Sequence, residues 1–99
     1  MTVPGPTYPL SSIKGLMKDG SWQLTLSAQD TILELDFDDQ DVYDCIVNHL
    51  EDTHFYKTMP SELKPDLMQD VYRITYSEKR IYLKLQVNVD AIVISFKEE

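Results

Sequence analysis

Between Gln69 and Lys97, polar and apolar side chains alternate with a period of two through three consecutive runs: Gln69–Tyr76, Arg80–Asn88 and Ala91–Lys97. Successive side chains on a strand point to opposite faces, so this pattern predicts three strands, each with one face for a core. On the first, Tyr72, Ile74 and Tyr76 share one face, and Gln69, Val71, Arg73 and Thr75 the other. On the second, Ile81, Leu83, Leu85 and Val87 oppose Arg80, Tyr82, Lys84 and Gln86. On the third, Ile92, Ile94 and Phe96 oppose Val93, Ser95 and Lys97. Turns are expected near Ser77-Glu78 and Asn88–Asp90, which makes the three runs a meander.

Upstream the period changes. Met1–Pro9 holds three prolines and a glycine and is expected to be an extended or disordered arm. Leu10, Ile13, Leu16 and Met17 fall at helical spacing, with Ser11 or Ser12 near the start and Gly20 just past the end, so Leu10–Asp19 is expected to be a short amphipathic helix. Trp22, Leu24 and Leu26 alternate with Gln23 and Thr25 and suggest a short strand, while Ala28–Leu35 is ambiguous. Asp36-Phe37-Asp38-Asp39 is a helix-start signal: an Asp side chain accepts a free N–H, and acids suit the first turn. Val42, Cys45, Ile46, Val47 and Leu50 then form the apolar stripe of a helix over Asp39–Leu50, with a further turn expected over Thr53–Met59 and a proline-bearing loop to Asp66. Helices leading into an antiparallel sheet predict an α+β fold with the helices packed on one side.

The 99 residues make one domain with a single two-layer core. No apolar run approaches membrane-spanning length and no secretory signal is evident. A single cysteine excludes an internal disulfide framework. One cysteine and two scattered histidines do not make a structural zinc site. Seventeen acidic against nine basic residues give a net charge of -8, which argues against an indiscriminate nucleic-acid binder. The distribution matters more: Asp30–Asp52 carries nine carboxylates and no Lys or Arg, whereas seven of the nine bases lie from Lys57 onward.

If the apolar faces of the three strands line one core, Gln69, Arg73, Tyr82, Lys84, Ser95 and Lys97 converge on the opposite face. Cations, a phenol and an amide on a rigid sheet suit the holding and cleavage of a phosphodiester. A row of this kind is more often an ordinary solvated face, and pattern alone does not decide between the two. Cys45, on the apolar stripe with no activating base beside it, reads as an inert core thiol. His49 reads as packing and His54 as a helix-end surface residue. The acids of Asp36–Asp44 lack the glycine and distal glutamate of a calcium loop and read as helix capping.

Several short segments resemble the motility quorum-sensing regulator (MqsR) family of toxins. They are Phe55-Tyr56-Lys57-Thr58-Met59, Gln69-Asp70-Val71-Tyr72-Arg73, Ile81-Tyr82-Leu83-Lys84 and Ile94-Ser95-Phe96-Lys97-Glu98. Leu10-Ser11-Ser12-Ile13-Lys14 and Leu35-Asp36-Phe37-Asp38 extend the likeness upstream, in the same order and at similar spacing. The resemblance implies a RelE-like ribonuclease toxin fold. It further implies a sequence-selective, metal-independent endoribonuclease, an mRNA interferase that needs no cofactor, cleaves mRNA in the cytoplasm and arrests growth. The implied partner is the cognate antitoxin, zinc-containing and DNA-binding (MqsA-like), through which alone operator DNA is reached. The resemblance assigns catalysis to Lys57, Gln69, Tyr82 and Lys97, and substrate contact to Met59 and Arg73. Lys84 joins them as a phosphate contact from its place on the strand face.

The chemistry expected of such a site is attack by the RNA's own 2′-hydroxyl on the adjacent phosphorus. Negative charge gathers on the phosphoryl oxygens, where cations and hydrogen-bond donors lower the barrier. Lysine and tyrosine then carry the proton transfers, with neither histidine in a matching position. Gln69 orients the phosphate or reads a base edge, and Tyr82 donates a proton or stacks on a base. The alternative reading is a catalytically weak binding or regulatory member that acts through its antitoxin, a reading prompted by the acidity of the chain.

Overall fold

The three alternating runs form three long antiparallel strands, and the chain upstream folds over one face of them. The computed structural model describes residues 5–99. In order they form α1 (Leu10–Lys18), β1 (Trp22–Leu24), α2 (Leu26–Glu34), α3 (Asp39–Asp44), β2 (Phe55–Pro60), β3 (Met68–Tyr76), β4 (Lys79–Asn88) and β5 (Asp90–Glu98). A five-stranded sheet runs β1-β5-β4-β3-β2. β2 through β5 are antiparallel neighbours, and β1 lies parallel to β5. The class is α+β, as expected, with a sheet that is mixed rather than purely antiparallel.

The core lies between the helices and one sheet face. Leu10, Ile13 and Met17 of α1, Ala28 and Ile32 of α2, and Val42, Cys45, Ile46 and Leu50 beyond them meet Tyr72, Ile74, Ile81, Leu83, Leu85, Val93 and Phe96. Each such large side chain, fully buried, contributes about 1.5–3 kcal/mol. Among the described residues no helix is long and apolar enough to cross a membrane.

Local signals explain most boundaries. α1 starts at Pro9 with no side-chain cap, so neither Ser11 nor Ser12 plays that part. It ends before Gly20, whose φ of 82° is open to glycine at little steric cost. Leu26 does not extend β1. Thr25 caps α2 by accepting from the Ala28 N–H at 3.1 Å, and Leu26 opens the helix, exposed. Asp38 caps α3 in a reciprocal box with Asp41, as the acid-rich start signal implies. The expected helix over Asp39–Leu50 is right in extent, but Cys45–His49 winds as a π-turn, with the Leu50 N–H reaching the Cys45 carbonyl at 2.9 Å. His49 is exposed rather than packed inside, edge-on to Tyr76 and 3.4 Å from Asp44.

Two departures bear on function. The turn expected over Thr53–Met59 is helical only at Asp52–His54; from Phe55 the chain is β2, paired with β3. Its aromatic and β-branched residues suit a strand once an open edge is beside them, and tertiary pairing overrides the local reading. In β5 a bulge breaks the alternation: Leu85 pairs with Val93 and Lys84 with Ser95, leaving Ile94 as the extra residue. Ala91, Val93 and Phe96 therefore face the helices, while Ile92 and Ile94, expected beside Phe96, face the other way.

Side chains of α2 cover the carbonyls of β5 beyond short β1. Thr25 Oγ1 donates to Ile94 O at 2.8 Å and Thr31 Oγ1 to Phe96 O at 2.6 Å, which blunts that edge of the sheet. The N-terminal arm is fastened rather than free over its described part. The Thr7 and Tyr8 N–H groups donate to the two oxygens of Asp70, each at 2.9 Å, and the Tyr8 hydroxyl donates to Met68 O at 2.7 Å. Residues 1–4 of the expected arm lie outside the described residues.

Candidate active site

Directly opposite residues on neighbouring strands share a face, so the register assembles the site in rows. Arg73 pairs with Tyr82, and Tyr82 with Lys97. The next row is Lys57, Val71, Lys84 and Ser95. The one after holds Met59 and Gln69 on one side, and Gln86 and Ile92 on the other. All of these lie on the sheet face turned away from the helices. The structure thus brings together Lys57, Met59, Gln69, Arg73, Tyr82, Lys84 and Lys97. Lys57 stands on β2 rather than in the helix–loop region from which it was expected.

Within the first row, Lys97 Nζ sits 5.2 Å from the centroid of the Tyr82 ring, where the ring's electron-rich face favours a cation. Lys97 is exposed and Tyr82 half-buried, so the pair faces solvent on one side and the sheet on the other. Arg73 is not free. Its Nη2 donates to Glu99 Oε1 at 2.7 Å, and its Nε lies 3.0 and 2.9 Å from the two carboxylate oxygens. This bond raises the pKa of Arg73 and lowers that of Glu99. The other face of the guanidinium lies over Tyr56, 4.6 Å from the ring centroid, and Lys57 Nζ lies 5.5 Å from the same ring.

Tyr56 and Glu99 are the residues that sequence reasoning missed. β2 shifts register between Phe55 and Lys57, which leaves Tyr56 as an unpaired residue against Arg73 and Lys57 together. Adjacency to Lys57 was the one signal available, and a segment read as a helical turn gave no strand face on which to place Tyr56. Glu99 is 26 residues from Arg73 in the chain, and only the β3–β4–β5 register brings them together.

The distribution along the face is uneven. Arg73 and Gln69 are four residues apart on β3, about 13 Å at the usual strand rise. The cations and phenol gather at the Arg73 end, and two amides at the Gln69 end. Lys84, half-buried, stands between them. Asp70, within the same segment as Gln69 and Arg73, points to the helix side and holds the N-terminal arm. Among the described residues no group of three His, Cys, Asp or Glu side chains comes together as a metal centre would require. Cys45 lies in the core, where burial pushes its thiol up to about 12, far from nucleophilic use.

Two comparisons with known proteins give the family. A family model described as motility quorum-sensing regulator, toxin of MqsA, matches residues 5–98. The mRNA interferase toxin MqsR of Escherichia coli (strain K12) is 34% identical over 94 residues, covering 95% of each chain.

Proposed function

The chain belongs to the motility quorum-sensing regulator family of toxins, and from that premise we propose that it is an endoribonuclease toxin that cuts mRNA at selected sequences without a metal ion. The observation that carries this reading is the row Arg73–Tyr82–Lys97, with an ammonium poised over a phenol on an open sheet face.

In this reading the RNA's 2′-hydroxyl attacks the neighbouring phosphorus, and the 5′-oxygen leaves. Lys97 and Lys57 stabilise the charge that gathers on the phosphoryl oxygens. Arg73, once it exchanges Glu99 for phosphate, clamps two of those oxygens in the planar geometry that guanidinium favours. The 2′-hydroxyl gives its proton to solvent water as its oxygen bonds to phosphorus, and Tyr82, beneath Lys97, delivers a proton to the 5′-oxygen as that bond breaks, leaving a 2′,3′-cyclic phosphate. Lys84 and Met59 flank the strand of RNA on either side of Val71 and Gln69. The support for metal independence is the donor set itself: ammonium, guanidinium, phenol and amide groups act on anionic oxygen directly.

The partner in this reading is an antitoxin, zinc-containing and DNA-binding, so that operator DNA is met only through it. Both act in the cytoplasm. A second reading, a binding member with weak catalysis, is favoured by one observation: Glu99 already occupies Arg73. Induced expression separates the two, because the ribonuclease arrests the growth of a bacterial host and the binding member does not.

The direct test incubates the purified chain with a long transcript in EDTA and maps the cut ends by primer extension, beside Lys97→Ala. Discrete cuts at a short recurring sequence, lost in the variant, are expected. A folded wild-type protein that leaves the transcript whole at low salt overturns the reading.

A further inference from the structure

Gln69 and Gln86 are both buried to 7% exposure, and they bond to each other: Gln69 Nε2 donates to Gln86 Oε1 at 3.2 Å. A primary amide carries one carbonyl acceptor and an NH₂ donor. Their mutual bond uses the donor side of one and the acceptor side of the other. Among the described residues the remaining halves, Gln69 Oε1 and Gln86 Nε2, have no hydrogen-bond partner. They are not sealed in either; among the described residues the one fully enclosed side-chain polar atom without a partner is the Tyr72 hydroxyl. Turning both amides over exchanges the atoms but still leaves one donor beside one acceptor.

Both glutamines line a cavity of about 480 Å³, together with Lys84, Ser61, Glu62, Ile92 and Ile94. This is within the usual size of a small-ligand pocket, about 300–1,000 Å³. The β5 bulge supplies its apolar wall, since Ile92 and Ile94 both turn to this side only because the strand carries an extra residue. A compact loop supplies another wall: Ser61 N–H donates to Leu67 O and Leu67 N–H to Lys64 O, each at 2.8 Å. Two isoleucines beside an adjacent donor and acceptor complement a flat heterocycle whose edge carries an acceptor beside a donor. A nucleobase has that form, and one glutamine amide already matches a base edge in bidentate fashion. The cavity sits about 13 Å along β3 from Arg73, with the Lys84 ammonium between, so a base held there belongs to a nucleotide beside the reacting phosphate.

We infer that this cavity receives one unstacked base of the RNA, and that the Gln69–Gln86 pair reads its edge and so sets one position of the cut sequence. The inference rests on the ribonuclease reading and deepens it. It assigns Gln69 to recognition rather than to the reacting phosphate, and it adds Gln86, which no sequence signal singled out. Gln86 acts twice: it fixes the Gln69 amide plane and presents its own free half.

The experiment compares cut positions and per-site initial rates on one long transcript for the wild type, Gln86→Glu, Gln86→Met and Ile94→Phe, each checked for a cooperative melting transition. Gln86→Glu keeps an acceptor for Gln69 and loses the outward donor; Gln86→Met keeps the volume and loses the pair. In both, preference at one position of the cut sequence is expected to change by about tenfold or more. Ile94→Phe narrows the slot without touching the pair and is expected to shift that position toward the smaller pyrimidines. Folded variants with wild-type relative rates at every site, or slowed equally at all sites, overturn the inference and leave Gln86 a packing residue. If the wild type cuts nothing, it is the ribonuclease reading that has failed, and this inference falls with it.

Discussion

Arg73 spends both of its side-on donors, Nε and Nη2, on the carboxylate of Glu99, in a pair 2.7–3.0 Å long. The carboxylate sits where a phosphate would have to sit to use the same fork. Exchange of Glu99 for RNA is therefore a competition on the protein's own surface. Glu99→Gln is expected to tighten RNA binding several-fold and to steepen its salt dependence by about 0.7 in log–log slope, the increment for one further phosphate contact on a single strand. Fluorescence anisotropy of a labelled RNA across a salt series, in a Lys97→Ala background that does not cut, reads both quantities. An unchanged slope would place Arg73 off the RNA.

Tyr82 offers a hydroxyl and a ring, and substitution separates them. Tyr82→Phe keeps the ring under Lys97 and removes the proton donor. Its kcat is expected to fall by about 100-fold or more, with RNA affinity close to wild type, whereas Tyr82→Ala loses affinity as well. Single-turnover cleavage together with anisotropy checks this; full activity in Tyr82→Phe would assign Tyr82 to stacking alone.

Asp70 is fully buried and receives two main-chain N–H groups from the arm. Asp70→Ala leaves both donors without their acceptor and is expected to destabilise the fold by about 1–3 kcal/mol. Urea unfolding measures the loss, and hydrogen exchange at Thr7 and Tyr8 should quicken before any global change. Slow exchange at both in the variant would show that the arm is held by other contacts.

Alkali should weaken the fold. Burial, as the largest cause, raises the Cys45 thiol from 9.0 to about 12 and raises Tyr72 and Tyr76 above 10.0. Above the unfolded values the unfolded chain holds fewer protons than the native one, so stability falls with rising pH. The contribution is whole below the unfolded thiol value and is lost progressively as pH climbs toward the folded one. Urea midpoints from about pH 8 to about pH 11 should decline, and Cys45→Ala should flatten the first part of that decline. A flat wild-type profile over this range would contradict the burial account.

The face that carries the site was legible in the sequence because β3 and β4 keep strict alternation over their whole length. Arg73, Tyr82 and Lys97 were placed together that way, and the pairing confirms their neighbourhood. Alternation failed where a strand carries an extra residue. Ile94 was assigned to the Phe96 face for that reason, whereas Tyr56 was lost because its segment read as a helical turn rather than a strand. β1 spans three residues and finds its partner in β5, about as far along the chain as a contact can be here; nothing local encodes it. Leu26 continued an apparent strand pattern that the Thr25 cap ended. The Gln69–Gln86 bond needed the register of two strands and the knowledge that both amides are buried.

In an ordinary strand, deleting one residue exchanges the faces of everything that follows. At Ile94 the opposite holds. A chain one residue shorter at that point would still turn Ala91, Val93 and Phe96 to the helices and would still set Lys97 opposite Tyr82. The fifth strand thus contains one place where chain length is a free variable: it leaves the packing and the cation row as they are, and alters only what the neighbouring cavity admits.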